Sequence, residues 1–168
     1  MKPLVVLPLA LLFTGVFAGG LRAEKKNPAV GTWKLDVAKS KYSTGSLPKS
    51  ATRTVAEQGD GEKTSYEEVG GDGSQATYTY TATYDDKDSS ISGSGRPSWR
   101  EDLLSGADAI AMRRSGSNAY GAAFKKSGQV VMTMRAVVSK DGKVLTITTN
   151  GADAKGQPTT FVTVWDKQ

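Results

Sequence analysis

Residues 75–84 alternate without a break: Ala76, Tyr78, Tyr80, Ala82 and Tyr84 fall on one side, and Gln75, Thr77, Thr79, Thr81 and Thr83 on the other. A period of two in Thr, Tyr and Ala cannot amount to one face of a helix and describes a half-buried strand. A single strand of this kind must pair on both edges or expose them. Its neighbours are built to pair with it. The segment is preceded by Gly70-Gly71-Asp72-Gly73 and followed by Asp85-Asp86-Lys87-Asp88, both turn-rich.

The same rhythm runs through most of the chain. A first strand is expected over 30–35, followed by a Lys-, Ser- and Gly-rich loop over 36–48. Strands then follow at 50–57, 63–69, 75–84, 89–93, 107–114, 118–126, 129–139, 143–149 and 159–166. Turns at Gly59-Asp60-Gly61, Ser127-Gly128, Lys140-Asp141-Gly142-Lys143 and 150–158 separate several of them. Residues 97–106 suit one helical turn, with Ser98 as cap, Glu101 three residues on and Gly106 at the exit. Connections this short exclude crossover helices and hence a parallel sheet. The predicted fold is all-β, a single antiparallel up-and-down barrel of about eight to ten strands, with the last strand closing on the first.

The 168 residues fit one such domain behind a targeting segment. Residues 1–18 carry Lys2, an apolar run from Leu4 to Phe13, and Val16-Phe17-Ala18 at a cleavage position; they read as a signal peptide. A second cleavage position follows Ala23. The apolar run is short for a membrane-spanning helix and is interrupted by Pro3 and Pro8. The expected address is secreted or periplasmic, in a bacterial envelope. Residues 19–29 form a flexible N-terminal segment and 30–168 the barrel.

Several chemistries are excluded outright. There is no Cys and no His. That removes disulfides, thiolate metal sites, imidazole ligands and a Ser-His-Asp triad. No Ser sits on a nucleophile elbow, so the chain is expected not to be an enzyme and to use no cofactor or metal. Asp85-Asp86-Lys87-Asp88 lacks the spacing of a calcium loop and reads as a solvated turn. Without Lys2 the net charge is +4, against +5 for the whole chain. The charges are interspersed, with no basic stripe of the kind that binds nucleic acid.

Gly31-Thr32-Trp33-Lys34-Leu35 resembles the opening of the calycins, the lipocalins and fatty-acid-binding proteins. Asp36-Val37-Ala38-Lys39-Ser40-Lys41-Tyr42, Val138-Ser139-Lys140-Asp141-Gly142-Lys143 and Val164-Trp165-Asp166-Lys167 extend the likeness to small exported bacterial lipocalin-like proteins. The resemblance implies that Gly31 permits a tight backbone approach and that Trp33 closes one barrel end, with Lys167 over its ring. The chain departs from these families in ending almost on its last strand. It also lacks room for a helix pair after the first strand, and has Trp165-Asp166-Lys167 in place of the C-terminal Arg-x-Tyr that holds a carboxylate.

Large aliphatic side chains are scarce, which suits a partly hollow barrel. The expected function is non-catalytic binding of a small hydrophobic or amphipathic molecule. The alternative is an interaction or inhibitor module of the envelope that works through its loops, its protein partner unknown. A third possibility is an outer-membrane barrel, which would carry an aromatic-girdled apolar face outward. Tyr78, Tyr80 and Tyr84 share a face that is expected to point inward and offer hydroxyls at an apolar wall. Met132 and Met134 supply adaptable walls. Arg53, Arg113 and Arg135 each fall within a strand. An inward guanidinium would suit an anionic headgroup, and an outward one needs no partner. The outward orientation is favoured for each, and Arg135 completes the candidate ligand-binding set. Trp99 is placed to anchor the helical turn or cap the barrel mouth.

Overall fold

The computed structural model describes residues 27–43, 48–94, 107–153 and 155–168. The expected signal peptide, the helical turn at 97–106 and Trp99 lie outside the described residues. The strands are β1 (Gly31–Tyr42), β2 (Ser50–Gln58), β3 (Gly61–Val69), β4 (Gln75–Thr83), β5 (Asp85–Ser94), β6 (Ala109–Arg114), β7 (Ala119–Lys126), β8 (Gln129–Val138), β9 (Val144–Ala152) and β10 (Pro158–Lys167). Each pairs antiparallel with its sequence neighbours, and β1 pairs with β10, so the sheet closes into a barrel without free edges. Closure aligns Trp33 with Lys167 and Leu35 with Trp165.

Three expectations are corrected. The segment 36–48 is not all loop, because β1 runs on to Tyr42. Asp36 pairs with Val164 and Lys41 with Val162, so residues 37–40 bulge opposite Thr163. Local bonds hold the bulge. Ser40 donates to the Asp36 carbonyl at 2.7 Å and accepts from the Val164 amide at 3.1 Å. Asp85 to Asp88 likewise belongs to β5, with Asp86 at φ 61° and a shifted register against β6. Finally, the expected flexible segment 19–29 ends in ordered structure. Asn27 and Ala29 are buried, and the Val30 amide donates to the Asn27 carbonyl at 3.1 Å.

Period two puts apolar and aromatic side chains inside. Val55, Tyr66, Tyr78, Tyr80, Phe124 and Trp165 are among the buried residues. The alternate positions carry Thr, Lys and Glu, among them the exposed Thr54, Lys63, Glu67, Thr81 and Thr133. Among the described residues, Val130 is the exposed large hydrophobic side chain. This polarity is opposite to that of a barrel whose outer face meets lipid. No helix of the described residues is long and apolar enough to cross a membrane.

Candidate functional site: the polar and aromatic barrel interior

Trp33 on β1 is fully buried and donates from its indole Nε1 to the Ala29 carbonyl at 2.7 Å. The Lys167 ammonium stands 5.0 Å from the ring centroid. Gly31 has φ 136°, and a Cβ there would lie 2.7 Å from Cε of Lys167. The backbone angle requires glycine, whereas the flexible end of Lys167 can shift aside from a Cβ.

Glu62 on β3 is also fully buried. It accepts from Thr64 at 2.9 Å, from Tyr80 and Asn27 at 3.4 Å each, and from Tyr84. Four donors offset the cost of burying the carboxylate. Asn27 also donates to the Tyr84 hydroxyl at 2.8 Å, so the segment before β1 is tied to β3 and to the junction of β4 and β5. The Tyr80 hydroxyl, donor to Glu62, accepts from Nη1 of Arg53 at 3.4 Å. Nη2 of Arg53 donates to Tyr78 at 2.9 Å. Carboxylate and guanidinium are thus linked through one phenol.

Arg53 is buried and makes no ion pair with any described carboxylate. Its Nε has no hydrogen-bond partner, and neither has the buried hydroxyl of Tyr120. Burial opposes the charge of Arg53, but the surrounding Tyr78, Tyr80, Tyr120 and Glu62 more than offset it and hold the guanidinium charged. The phenols of Tyr80 and Tyr120 are pushed up, chiefly by burial; Glu62 adds to this and Arg53 opposes it. They are neutral donors at ordinary pH.

Around Tyr66 and Trp165 the interior becomes more apolar and aromatic. Tyr66 stacks on Tyr78 with centroids 4.6 Å apart, and meets Trp165 edge-on at 6.0 Å. Arg53 stands 6.0 Å from the Trp165 ring. Tyr66 donates to the buried Glu68. A void of about 10 Å³ lies among Arg53, Phe124, Met132, Met134, Phe161 and Trp165. That is room for about one water molecule.

Of the candidate ligand-binding residues, Tyr78, Tyr80, Met132 and Met134 are buried in the interior, and Tyr84 is half-buried beside Asn27 and Glu62. The two methionines line the void. Arg135 does not join them. It lies between the inward Met134 and Ala136, so the strand's alternation turns it to solvent. Arg113 is exposed as well, whereas Arg53, also expected outward, points in. The signal for Arg53 was local: it sits between Ala51 and Val55 at spacing two, and both are buried. Glu62 and Glu68 gave no such signal, because β3 is polar on both faces. Among the described residues, no group of three or more acidic side chains is placed to hold a metal ion.

No protein-family model matches the chain, and no curated protein matches it. Among solved structures, the zebrafish ileal bile acid-binding protein, crystallised with cholic acid, is similar. The TM-score is 0.45 at 10% sequence identity, covering 84% of this chain and 99% of that one.

Proposed function

We propose that the protein binds a small hydrophobic or amphipathic molecule inside the barrel, without catalysis. The observation that carries this is the divided lining of the interior void: Phe124, Met132, Met134 and Phe161 on the apolar side, and Arg53 with its incompletely used guanidinium on the other. A core selected only for packing gains nothing from a buried cation that lacks an ion pair. Ligand pockets combine an apolar wall with a few polar groups in this way. The void takes about one water. A larger ligand enters by displacing side chains, and unbranched methionines re-pack most readily. The leader-like residues 1–18 extend the proposal to an exported, bacterial lipocalin-like protein, which N-terminal sequencing of the secreted chain checks.

The test is titration of the purified barrel with Nile red, an uncharged environment-sensitive dye. Saturable one-to-one enhancement is expected, and Met134→Trp, which fills the void, should abolish it while leaving the far-ultraviolet spectrum unchanged. Non-saturable enhancement, or equal enhancement in the variant, refutes interior binding.

A further inference from the structure

A separate candidate lies on the outer wall and does not rest on interior binding. Strands β6 to β9 contain no Asp or Glu, and they carry Arg113, Arg114, Lys125, Lys126 and Arg135. Arg114 stands 4.1 Å from the Tyr84 ring centroid, and Lys125 pairs with Asp88 at 2.6 Å. Arg113 and Arg135 are exposed, and neither makes an ion pair among the described residues. They share one row across the sheet, because Gly121 is in register with Arg113 on one side and with Arg135 on the other. Asp85 is in register with Arg113 from β5, but its carboxylate is held by Lys87 at 2.9 Å and Thr83 at 2.7 Å. Asp108 and Asp141, in connections that flank this wall, accept from the amides of Ser127 and Lys143.

Gly121 itself is the second observation. Glycine weakens a strand, through backbone entropy and the lack of a side chain to pack. At Gly61 and Gly93 the fold requires it, because a Cβ would collide with the carbonyl oxygens of Ala82 and Thr77. At Gly121 it does not. The φ angle is not positive, and a Cβ would meet the Met134 carbonyl oxygen at 3.5 Å and Nε of Arg113 at 3.9 Å, both ordinary contacts. Tyr120 and Ala122 are buried, so the vacant side-chain direction is outward. The result is a notch between two arginine-bearing strands about 10 Å apart, with Nε of Arg113 at its edge. A strand glycine of this kind suits the close approach of a ligand. We propose that Arg113 and Arg135 clamp a phosphate group, free or esterified, seated over Gly121. Two guanidinium forks match the several oxygens of a tetrahedral anion.

Two probes test this at constant ionic strength, which fixes the screening of exposed charges. Inorganic phosphate is titrated while amide chemical shifts are followed, and vesicles of phosphatidylglycerol are compared with vesicles of phosphatidylcholine by co-sedimentation. Saturable shifts centred on Gly121, or retention on the anionic vesicles, are expected. Arg113→Ala and Arg135→Ala should each weaken binding about fivefold or more. Lys63→Ala removes the same charge from β3, away from this wall, and should change it less than about twofold. Gly121→Val keeps every charge, suits a strand and fills the notch; it should weaken binding about tenfold. Loss in Gly121→Val of phosphate binding alone places the ligand among small phosphates. Loss of vesicle retention, alone or as well, places it among lipid headgroups, and each result supports the clamp. Binding of neither probe, equal binding by Gly121→Val, or an equal loss in Lys63→Ala overturns it, the last two because diffuse charge would then suffice. Interior binding stands or falls by Nile red in either case.

Discussion

Raising the pH above that at which free tyrosine ionises should unfold this barrel from the inside. All six tyrosines of the chain lie in its strands or beside them. Four of them, Tyr42, Tyr80, Tyr84 and Tyr120, have phenols pushed above the ordinary value of 10.0, in each case chiefly by burial. A phenol with a raised folded pKa keeps its proton in the native chain after the unfolded chain has lost it. Stability is therefore whole below pH about 10 and falls as pH rises beyond it. Tyr80 and Tyr120 are each only 2% exposed, so solvent screens neither. Each proton withheld costs about 1.4 kcal/mol per pH unit, and the two together about 3 kcal/mol per unit. By pH about 12 the loss is about 5 kcal/mol, comparable to the whole stability of a marginal domain. Urea denaturation followed by circular dichroism at stepped pH measures the slope, and near-ultraviolet phenolate absorbance reports ionisation. The two should move together, and Tyr120→Phe should flatten the slope by one proton. Phenols that ionise near pH 10 in a barrel whose urea midpoint stays constant would refute the burial of these hydroxyls.

Other outcomes follow from single contacts. Glu62→Ala removes the acceptor of Thr64, Tyr80 and Tyr84, one of two acceptors of Asn27, and a compensating charge near Arg53. Denaturant titration should show a loss of about 3–5 kcal/mol, and a loss under about 1 kcal/mol would contradict the network. Trp33→Phe removes the bond to the Ala29 carbonyl and weakens the Lys167 contact. It should cost about 1–2 kcal/mol in calorimetry, with no cost if these contacts are incidental. Arg135→Ala should change stability by less than about 0.5 kcal/mol and leave Nile red affinity unaltered; a weakened dye complex would place Arg135 at the site after all.

Much of the barrel is written in short-range order. Alternation in residues 75–84 places Tyr78 and Tyr80 on one face, and both are buried. The β1 bulge was hidden because residues 37–40 carry the composition of a loop, and only pairing with β10 keeps Tyr42 in the strand. The end of the N-terminal segment was hidden for a similar reason: Asn27 acquires its value from Glu62 and Tyr84, distant in sequence.

By itself, the sequence determined that this chain makes serial antiparallel strands, because period two and turn chemistry act over a few residues. It determined which side chains share a face. Only the closed barrel decided what surrounds Arg53 in the interior and which donors remain unanswered. Those are properties of walls that face each other across the interior. Arg53 on β2, Glu62 on β3 and Tyr78 and Tyr80 on β4 are brought together by successive hairpins, whereas Tyr120 on β7 comes from the far side of the closed sheet. Charge balance and unsatisfied hydrogen bonds are sums over that enclosed space, and no single strand carries them.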